Sequence, residues 1–259
     1  MPLRRDFAGL LALSGVSLVL AMPAAFAQND VARLMEQGLA EDARLDTAHA
    51  LEAFLEAEKL APNDANVLYR IAREYALSMN DTASKDEQRT RGEQALAYAK
   101  RAVAADPRNA QAQLAAAICY GRLAPFVDTR TRIAYSQLIK QHSDAALALD
   151  PSDDYAYHVL GVWNYELAGL NPVLRGMARV IYGALPDASY LDAERDLQKA
   201  VELSPARVSH HVELGRTYVA LGNKELARKE LTLALGFPDR EKDDPESKRR
   251  ARQALQQLD

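Results

Sequence analysis

The sequence contains a single cysteine. Cys119 therefore has no partner within the chain, which excludes an intrachain disulfide. It lies in the apolar run from Leu114 to Tyr120, and free cysteines are among the most buried residue types. We interpret Cys119 as a small core residue, in a fold that is stabilised by packing without cross-links.

The chain also lacks the motifs that carry chemistry. No G-x-S-x-G, P-loop or H-E-x-x-H motif occurs, and none of the five histidines has a partner at metal-binding spacing. The formal net charge is -4, and there is no basic stripe of the kind that binds nucleic acid. We expect no enzyme, no metal, no cofactor and no nucleic-acid partner.

No stretch alternates β-branched and polar residues, so we predict no strands. Instead, alanine-rich helical segments end at or near a proline five times, and small residues recur along one face of each segment. These prolines are Pro62, Pro107, Pro151, Pro205 and Pro238. Small residues let a second helix approach closely, and proline stops a helix. Each such unit buries its apolar face only against its neighbours, which predicts a solenoid.

The last unit is the most regular. Leu214-Gly215, Tyr218 and Leu221-Gly222-Asn223 follow one another on its first helix, a pattern that resembles the tetratricopeptide repeat. Gly222 is expected in a left-handed conformation at the helix end. We place Gly161 and Gly215 where two helices of one repeat touch. The fold we predict is an all-α, right-handed α-solenoid of five tetratricopeptide-like helix pairs, with inserted helices and a C-terminal capping helix.

The middle units are stretched. The first four prolines lie 45, 44 and 54 residues apart, against about 34 residues in the standard repeat. The longest insert, residues 170–190, begins a helix at Pro172 and repeats apolar residues at helical steps: Leu170, Leu174, Met177, Ile181 and Leu185. We predict an extra amphipathic helix that caps the groove or packs on neighbouring repeats. A membrane or partner contact is the alternative.

The C-terminal helix follows Pro245. We interpret the charges of Lys248, Arg249 and Arg250 as a solvated face, because a repeat array needs a polar terminal helix. Asp243 and Asp244 are expected to be turn and cap residues before this helix.

The N-terminus has the pattern of a signal peptide. Arg4 and Arg5 precede an apolar run from Leu10 to Met22, and Ala25-Phe26-Ala27 is a small-x-small cleavage site. The run is short for a membrane span, which needs about 20 apolar residues. We expect residues 1–27 to be cleaved and residues 28–259 to form one domain of a periplasmic or secreted protein. An uncleaved N-terminal membrane anchor is the alternative.

Three runs in the stretched middle carry a closer resemblance. They are residues 117–123 (AICYGRL), 142–151 (HSDAALALDP) and 157–165 (YHVLGVWNY). Together with the long insert, they resemble the regulator of microtubule dynamics family over roughly residues 65–238. The resemblance implies a tetratricopeptide-like helical domain with a binding role and no catalytic residues to carry over. We do not extend the microtubule role to a chain with an export signal.

The first helices of tetratricopeptide pairs line a concave face. In this chain the inward positions of those helices predict a groove with an apolar, aromatic floor and arginines along its edges. The groove candidates are Asn66, Tyr69, Arg70, Arg73, Ile118, Arg122, Tyr155, His158, Val162, Tyr165 and Arg216. Arginine holds a carboxylate or phosphate through two hydrogen bonds, so an acidic or C-terminal peptide segment would fit, as would an acyl chain with an anionic head. The alternative is that these residues only pack the inserted helix.

We therefore predict an exported scaffold that binds a protein or peptide partner in its groove. A protein that binds a small, lipid-like amphiphile, with residues 170–190 as a lid, is the alternative. The sequence leaves the partner's identity and the oligomeric state open.

The signal-peptide interpretation makes a direct prediction. The intact mass of the native protein, measured by mass spectrometry, should correspond to a chain that begins at Gln28, because cleavage is expected after Ala27. A native mass that retains Met1 would favour the anchor instead.

Overall fold

The computed structural model describes residues 21–182 and 187–258. These residues form twelve α-helices and no strand. The helices are α1 (Ala21–Asp42), α2 (Thr47–Leu60), α3 (Ala65–Ser78), α4 (Lys85–Ala105), α5 (Ala110–Leu123), α6 (Thr129–Leu149), α7 (Asp154–Ala168), α8 (Pro172–Tyr182), α9 (Tyr190–Leu203), α10 (Val208–Ala220), α11 (Lys224–Gly236) and α12 (Asp244–Gln256). Two short 3₁₀ turns, Met79–Asp81 and Ala124–Phe126, precede α4 and α6.

The helices pack as five antiparallel pairs and a terminal helix. The pairs are α1 with α2, α3 with α4, α5 with α6, α7 with α9, and α10 with α11. The first helices of neighbouring pairs also contact each other: α3 contacts α5, and α5 contacts α7. Helix α12 packs against α10 and α11. The predicted all-α solenoid of five helix pairs with a C-terminal capping helix is confirmed.

Short polar residues fix where the helices begin. Asp64 accepts hydrogen bonds from the backbone N–H groups of Asn66 and Val67, and Asp153 does the same for the first turn of α7. Such caps satisfy donors that a helix leaves free at its start. At the end of α10, Gly222 has a φ of 78°, as expected for a glycine that terminates a helix.

Close approach within the pairs depends on glycine. A Cβ atom at Gly161 would lie 2.5 Å from Cγ of Leu197, and one at Gly215 would lie 2.6 Å from Cγ of Leu231. Both leucines are completely buried. The predicted position of Gly161 and Gly215 at the helix contact is therefore confirmed, and the absent side chain makes room for a leucine of the second helix.

The first two inserts lengthen second helices. Helices α4 and α6 have 21 residues each, against 14 in α2. The third insert forms the separate helix α8, which starts at Pro172 as predicted. Val173 and Val180 of α8 are 72% and 88% exposed, so the apolar surface of this helix is only partly covered. Leu185 lies outside the described residues.

Two of the C-terminal charges do not form the solvated face that we expected. Lys248 lies 2.6 Å from the Asp239 carboxylate and also donates a hydrogen bond to the Phe237 carbonyl. Arg250 lies 2.6 Å from the carboxylate of Glu213, which is only 3% exposed. These pairs attach α12 to α10 and to the preceding loop, and the Arg250 pair supplies a cation to the buried Glu213 carboxylate.

The expected signal peptide is largely outside the described residues, since residues 1–20 are not described. Helix α1 contains the expected cleavage site, and cleavage stays a prediction. None of the helices in the described part of the chain has the length and apolar character required to span a membrane.

The helix contacts predict the effect of a single methyl group. Gly215→Ala should destabilise the fold by about 1–3 kcal/mol, because the new Cβ overlaps Leu231. The matched change Gly121→Ala meets only Ile139, at 3.9 Å, and should be neutral or stabilising by up to about 1 kcal/mol through helix propensity. Thermal unfolding followed by circular dichroism compares the two variants. Equal melting temperatures would show that the helix contact is placed wrongly.

Candidate functional site

A cavity of about 400 Å³ opens on the face formed by the first helices of the middle repeats. It lies between α3, α5, the start of α7 and the loop between α11 and α12. Its lining includes Tyr69, Arg70, Arg73, Leu114, Ile118, Arg122, Tyr155, Arg207, Glu241, Lys242 and Asp243. The structure thus brings six of the eleven predicted groove residues to one cavity: Tyr69, Arg70, Arg73, Ile118, Arg122 and Tyr155.

Helix α3 contributes two arginines with different surroundings. The guanidinium of Arg73 lies 2.6 Å from the Asp42 carboxylate and 2.8 Å from that of Glu74. The guanidinium of Arg70 lies over the Tyr69 ring, 5.1 Å from its centroid. Within the described part of the chain, Arg70 forms no hydrogen bond or ion pair, and its Nε atom is buried without a partner. Arg70 is thus a cation at the cavity wall with unused donors.

Glu74 lies behind these arginines and is completely buried. Burial raises the pKa of its carboxyl to about 7, although the Arg73 charge opposes the shift. One of its oxygens, Oε2, has no hydrogen-bond partner among the described residues. When Glu74 is ionised, Arg73 therefore offsets only part of the cost of burying its negative charge.

Helix α5 supplies an apolar wall and another arginine. Leu114 and Ile118 face the cavity. Cys119 is buried as predicted, and burial raises the pKa of its thiol to about 12, so the thiolate that reactive cysteines require is disfavoured. Arg122 donates a 3.1 Å hydrogen bond to the Ala76 carbonyl of α3 and forms an ion pair with Asp243.

The start of α7 adds a partly buried polar cluster. Asp154 pairs with Arg207 and lies 2.8 Å from His210. Burial would raise the pKa of Asp154, but His210 and Arg207 together lower it. The guanidinium of Arg207 lies 5.3 Å from the Tyr155 ring centroid. Burial raises the pKa of the Tyr155 hydroxyl to about 12, so Tyr155 stays neutral.

The far wall of the cavity is an acidic loop, residues 239–243, between α11 and α12. Glu241 lies 2.8 Å from Arg207, and Lys242 lies 2.8 Å from Asp81. Asp243 pairs with Arg122 and accepts a hydrogen bond from Asn80. Burial raises the pKa of Glu241, while Arg207 opposes the shift. The loop therefore joins the last repeat to the second and third repeats.

Five predicted groove residues lie elsewhere. Asn66 is exposed and bonds to Asn109. His158 is buried, with its Nδ1 3.0 Å from Nδ1 of His210, and burial lowers its pKa well below the usual value. The guanidinium of Arg216 lies over the Tyr165 ring, 4.8 Å from the ring centroid.

Asn66 lies at the start of α3, and His158, Tyr165 and Arg216 lie on α7 and α10, where they do not line the cavity. Val162, also on α7, is partly buried and does not line the cavity. A binding role for any of the eleven residues stays a prediction.

The sequence interpretation misses the residues contributed by turns and loops. It gives no role to Arg207, Glu241 and Lys242. Asp243 occupies the cap position of α12, but its side chain makes no capping hydrogen bond. The predicted cap position of Asp243 is confirmed, but its carboxylate pairs with Arg122 and does not cap the helix. The only available signal for this pair is the charge alternation from Asp239 to Asp243, and nothing in it indicates a partner on α5.

No group of three or more histidine, cysteine, aspartate or glutamate side chains could hold a metal ion in the part of the chain that the structure describes. The cavity lining combines arginine donors, an apolar wall and two tyrosines.

Similarity to known proteins extends over nearly the whole described chain. Residues 31–259 match the family described as regulator of microtubule dynamics protein 1-3. The chain belongs to the regulator of microtubule dynamics family. This confirms the resemblance drawn from the three runs in the middle of the sequence.

Relatives within the regulator of microtubule dynamics family differ in length from this chain. Regulator of microtubule dynamics protein 1 from Mus musculus is 32% identical over 194 residues, which cover 74% of this chain and 64% of the relative. Regulator of microtubule dynamics protein 2 from Homo sapiens is 25% identical over 230 residues, covering 88% of this chain and 54% of the relative. The match spans less than two thirds of either relative.

Solved structures support the tetratricopeptide fold of this family member. A thermophilic TPR protein of Thermus thermophilus superposes with a TM-score of 0.60 at 19% identity, covering 87% of this chain and 99% of that one. The pilF protein of Pseudomonas aeruginosa superposes with a TM-score of 0.55 at 15% identity, covering 90% and 92%. These similarities show the fold alone.

Buried Glu74 predicts a pH dependence of stability. Its pKa in the folded state, about 7, lies above the unfolded value of 4.5. Its destabilising contribution is therefore absent below about pH 4.5, grows as the pH rises, and is complete above about pH 7. Glu74→Gln should match the native protein near pH 5 and be more stable by about 1–3 kcal/mol at pH 8.

Urea unfolding at the two pH values measures this difference. Glu52→Gln, at an exposed position of α2, is the control and should leave the pH dependence unchanged. A Glu74→Gln variant that is less stable than the native protein at pH 8 would contradict the assignment.

Proposed function

We propose that this protein is an interaction scaffold that binds a carboxylate-bearing segment of a partner protein in the cavity between α3, α5 and α7. The observation that carries the proposal is Arg70, which reaches the cavity with no ion-pair partner among the described residues. A guanidinium prefers two parallel hydrogen bonds to one carboxylate. Arg70 lies over Tyr69, which holds the guanidinium in place and leaves its donors to a ligand.

The cavity wall suits a peptide segment. Leu114 and Ile118 provide apolar surface on one side, and Arg70, Arg122 and Arg207 provide donors on the others. Binding sites of this kind combine apolar lining with a few fixed polar groups. A volume of about 400 Å³ is enough for a few side chains, so the recognised segment is short.

The alternative of a lipid-like amphiphile below a lid has less support. None of the described residues between 170 and 190 lines the cavity, although a lid would have to cover it. Ion pairs on two sides of the cavity would also be poor surroundings for an acyl chain, because burying charges next to hydrocarbon is unfavourable.

The names of the relatives attach them to microtubule dynamics. That role is not part of our proposal, because the match spans less than two thirds of those relatives. Export of the mature chain is also our proposal, and it rests on the sequence pattern of residues 1–27 alone.

A pair of synthetic peptides tests the proposed function. The probe is a fluorescein-labelled octapeptide of alternating glutamate and alanine, and its counterpart has glutamine in place of glutamate. Fluorescence anisotropy should show that the acidic peptide binds more tightly, with an affinity that falls as salt is added. Arg70→Gln should weaken binding about tenfold, since hydrogen bonds to charged groups contribute about 1.5–3 kcal/mol.

The matched control is Arg252→Gln, at an exposed position of α12, which should bind like the native protein. Equal affinity of native protein and Arg70→Gln for the acidic peptide would refute the proposed site.

A further inference from the structure

The acidic loop already holds the position that a partner would take. Its carboxylates at Glu241 and Asp243 pair with Arg207 and Arg122, and both arginines line the cavity. For Arg122, Asp243 is the only carboxylate within ion-pair distance among the described residues. The chain thus presents to its own groove the chemistry that the arginines would select in a ligand.

The backbone of the acidic loop is held in this position by Asp244, on the side away from the cavity. Asp244, only 2% exposed, accepts hydrogen bonds of 2.8 Å from the backbone N–H groups of both Arg240 and Glu241. These bonds fix the backbone so that the next side chains face α3, α5 and α10. Lys242 completes the contact through its pair with Asp81, so the docked sequence is acidic, basic, acidic.

We propose that the acidic loop is an internal ligand of the groove, and that a partner segment with the same acidic–basic–acidic pattern displaces it on binding. The inference rests on the proposed function and extends it in two ways. The inference names the charge pattern of the recognised segment. It also states that, in the absence of a partner, the acidic loop occupies the groove.

Two features allow the loop to leave without unfolding the protein. First, Lys248 of α12 pairs with Asp239 of the loop, but α12 has its own attachment, because Ala251, Ala254 and Leu258 belong to the apolar core around Leu231. Second, the loop contacts are polar and reached by water: the side chains of Arg122 and Asp243 are each 22% exposed. Water can therefore solvate these groups when the pairs open.

The connection within one chain gives the loop an advantage over an external segment. A tethered ligand acts at a high effective concentration, on the order of millimolar for a short linker. The apparent affinity for a partner is then reduced by the fraction of molecules in which the groove is open. Weakening the loop should raise that fraction.

The experiment uses the full chain and a peptide with the sequence of residues 237–245, capped at both ends and labelled with fluorescein. In the test variant, Glu241→Gln and Asp243→Asn are combined, which preserves side-chain size. The control variant combines Asp86→Asn and Glu225→Gln, two exposed residues, and removes the same charge. Anisotropy should show at least tenfold tighter peptide binding by the test variant, and native affinity for the control.

Three outcomes overturn the inference. If the test variant binds the peptide no more tightly than the native protein does, the loop does not compete for the groove. If the test variant binds more weakly, the loop is part of the binding surface. If the peptide with all its carboxylates changed to amides binds the test variant equally well, the contact does not depend on charge. In each case, tight binding of the glutamate–alanine octapeptide that depends on Arg70 would leave the proposed function intact.

A second measurement needs no variant, and it applies even if the double substitution impairs folding. Saturating amounts of the peptide should speed hydrogen exchange at the amides of Arg240 and Glu241, because displacement breaks their bonds to Asp244. The amides of α12 from Arg249 onward should be unchanged. Slower exchange in the loop would show that it stays in place and closes on the peptide.

Discussion

The fold depends on how closely the two helices of each pair approach. At Gly161 and Gly215 there is no room for a Cβ atom, because Leu197 and Leu231 occupy the space. Fully buried alanines such as Ala200 and Ala234 maintain the same closeness on the second helices. The pairs place their first helices next to one another, and the groove lies on the face that these helices form.

The electrostatics of the groove follow from that geometry. Arg73 on α3 pairs with Asp42 and Glu74, whereas the last repeat brings the acidic loop back to Arg122 on α5. Arg122 and Arg207 find carboxylates in that loop, while Arg70 keeps its donors free among the described residues. Buried Glu74 lies behind them with a raised pKa. In our proposal, the groove and the loop that occupies it are built from the same few charges.

Membership of the regulator of microtubule dynamics family and the tetratricopeptide fold agree on the kind of protein this is. Both indicate a helical repeat fold, and its role as an interaction scaffold is our proposal. Neither identifies a partner, because the solved structures share only 15–19% identity with the chain and the matched relatives are longer. The specific content comes from the cavity, which has four arginines, an apolar wall and the loop that precedes α12. In our proposal, these features set the charge pattern that a partner supplies.

Much of this was determined by the sequence by itself. The periodic small residues and the prolines predicted five helix pairs, Gly222 predicted a helix end, and Pro172 predicted the start of α8, since each depends on neighbours within a few residues. The tertiary structure decided which groove candidates share one cavity. It also placed Asp243 against Arg122, 121 residues away in sequence, and left the valines of α8 in solvent. These features depend on how the curvature of the whole solenoid brings distant repeats together, and no local pattern encodes that curvature.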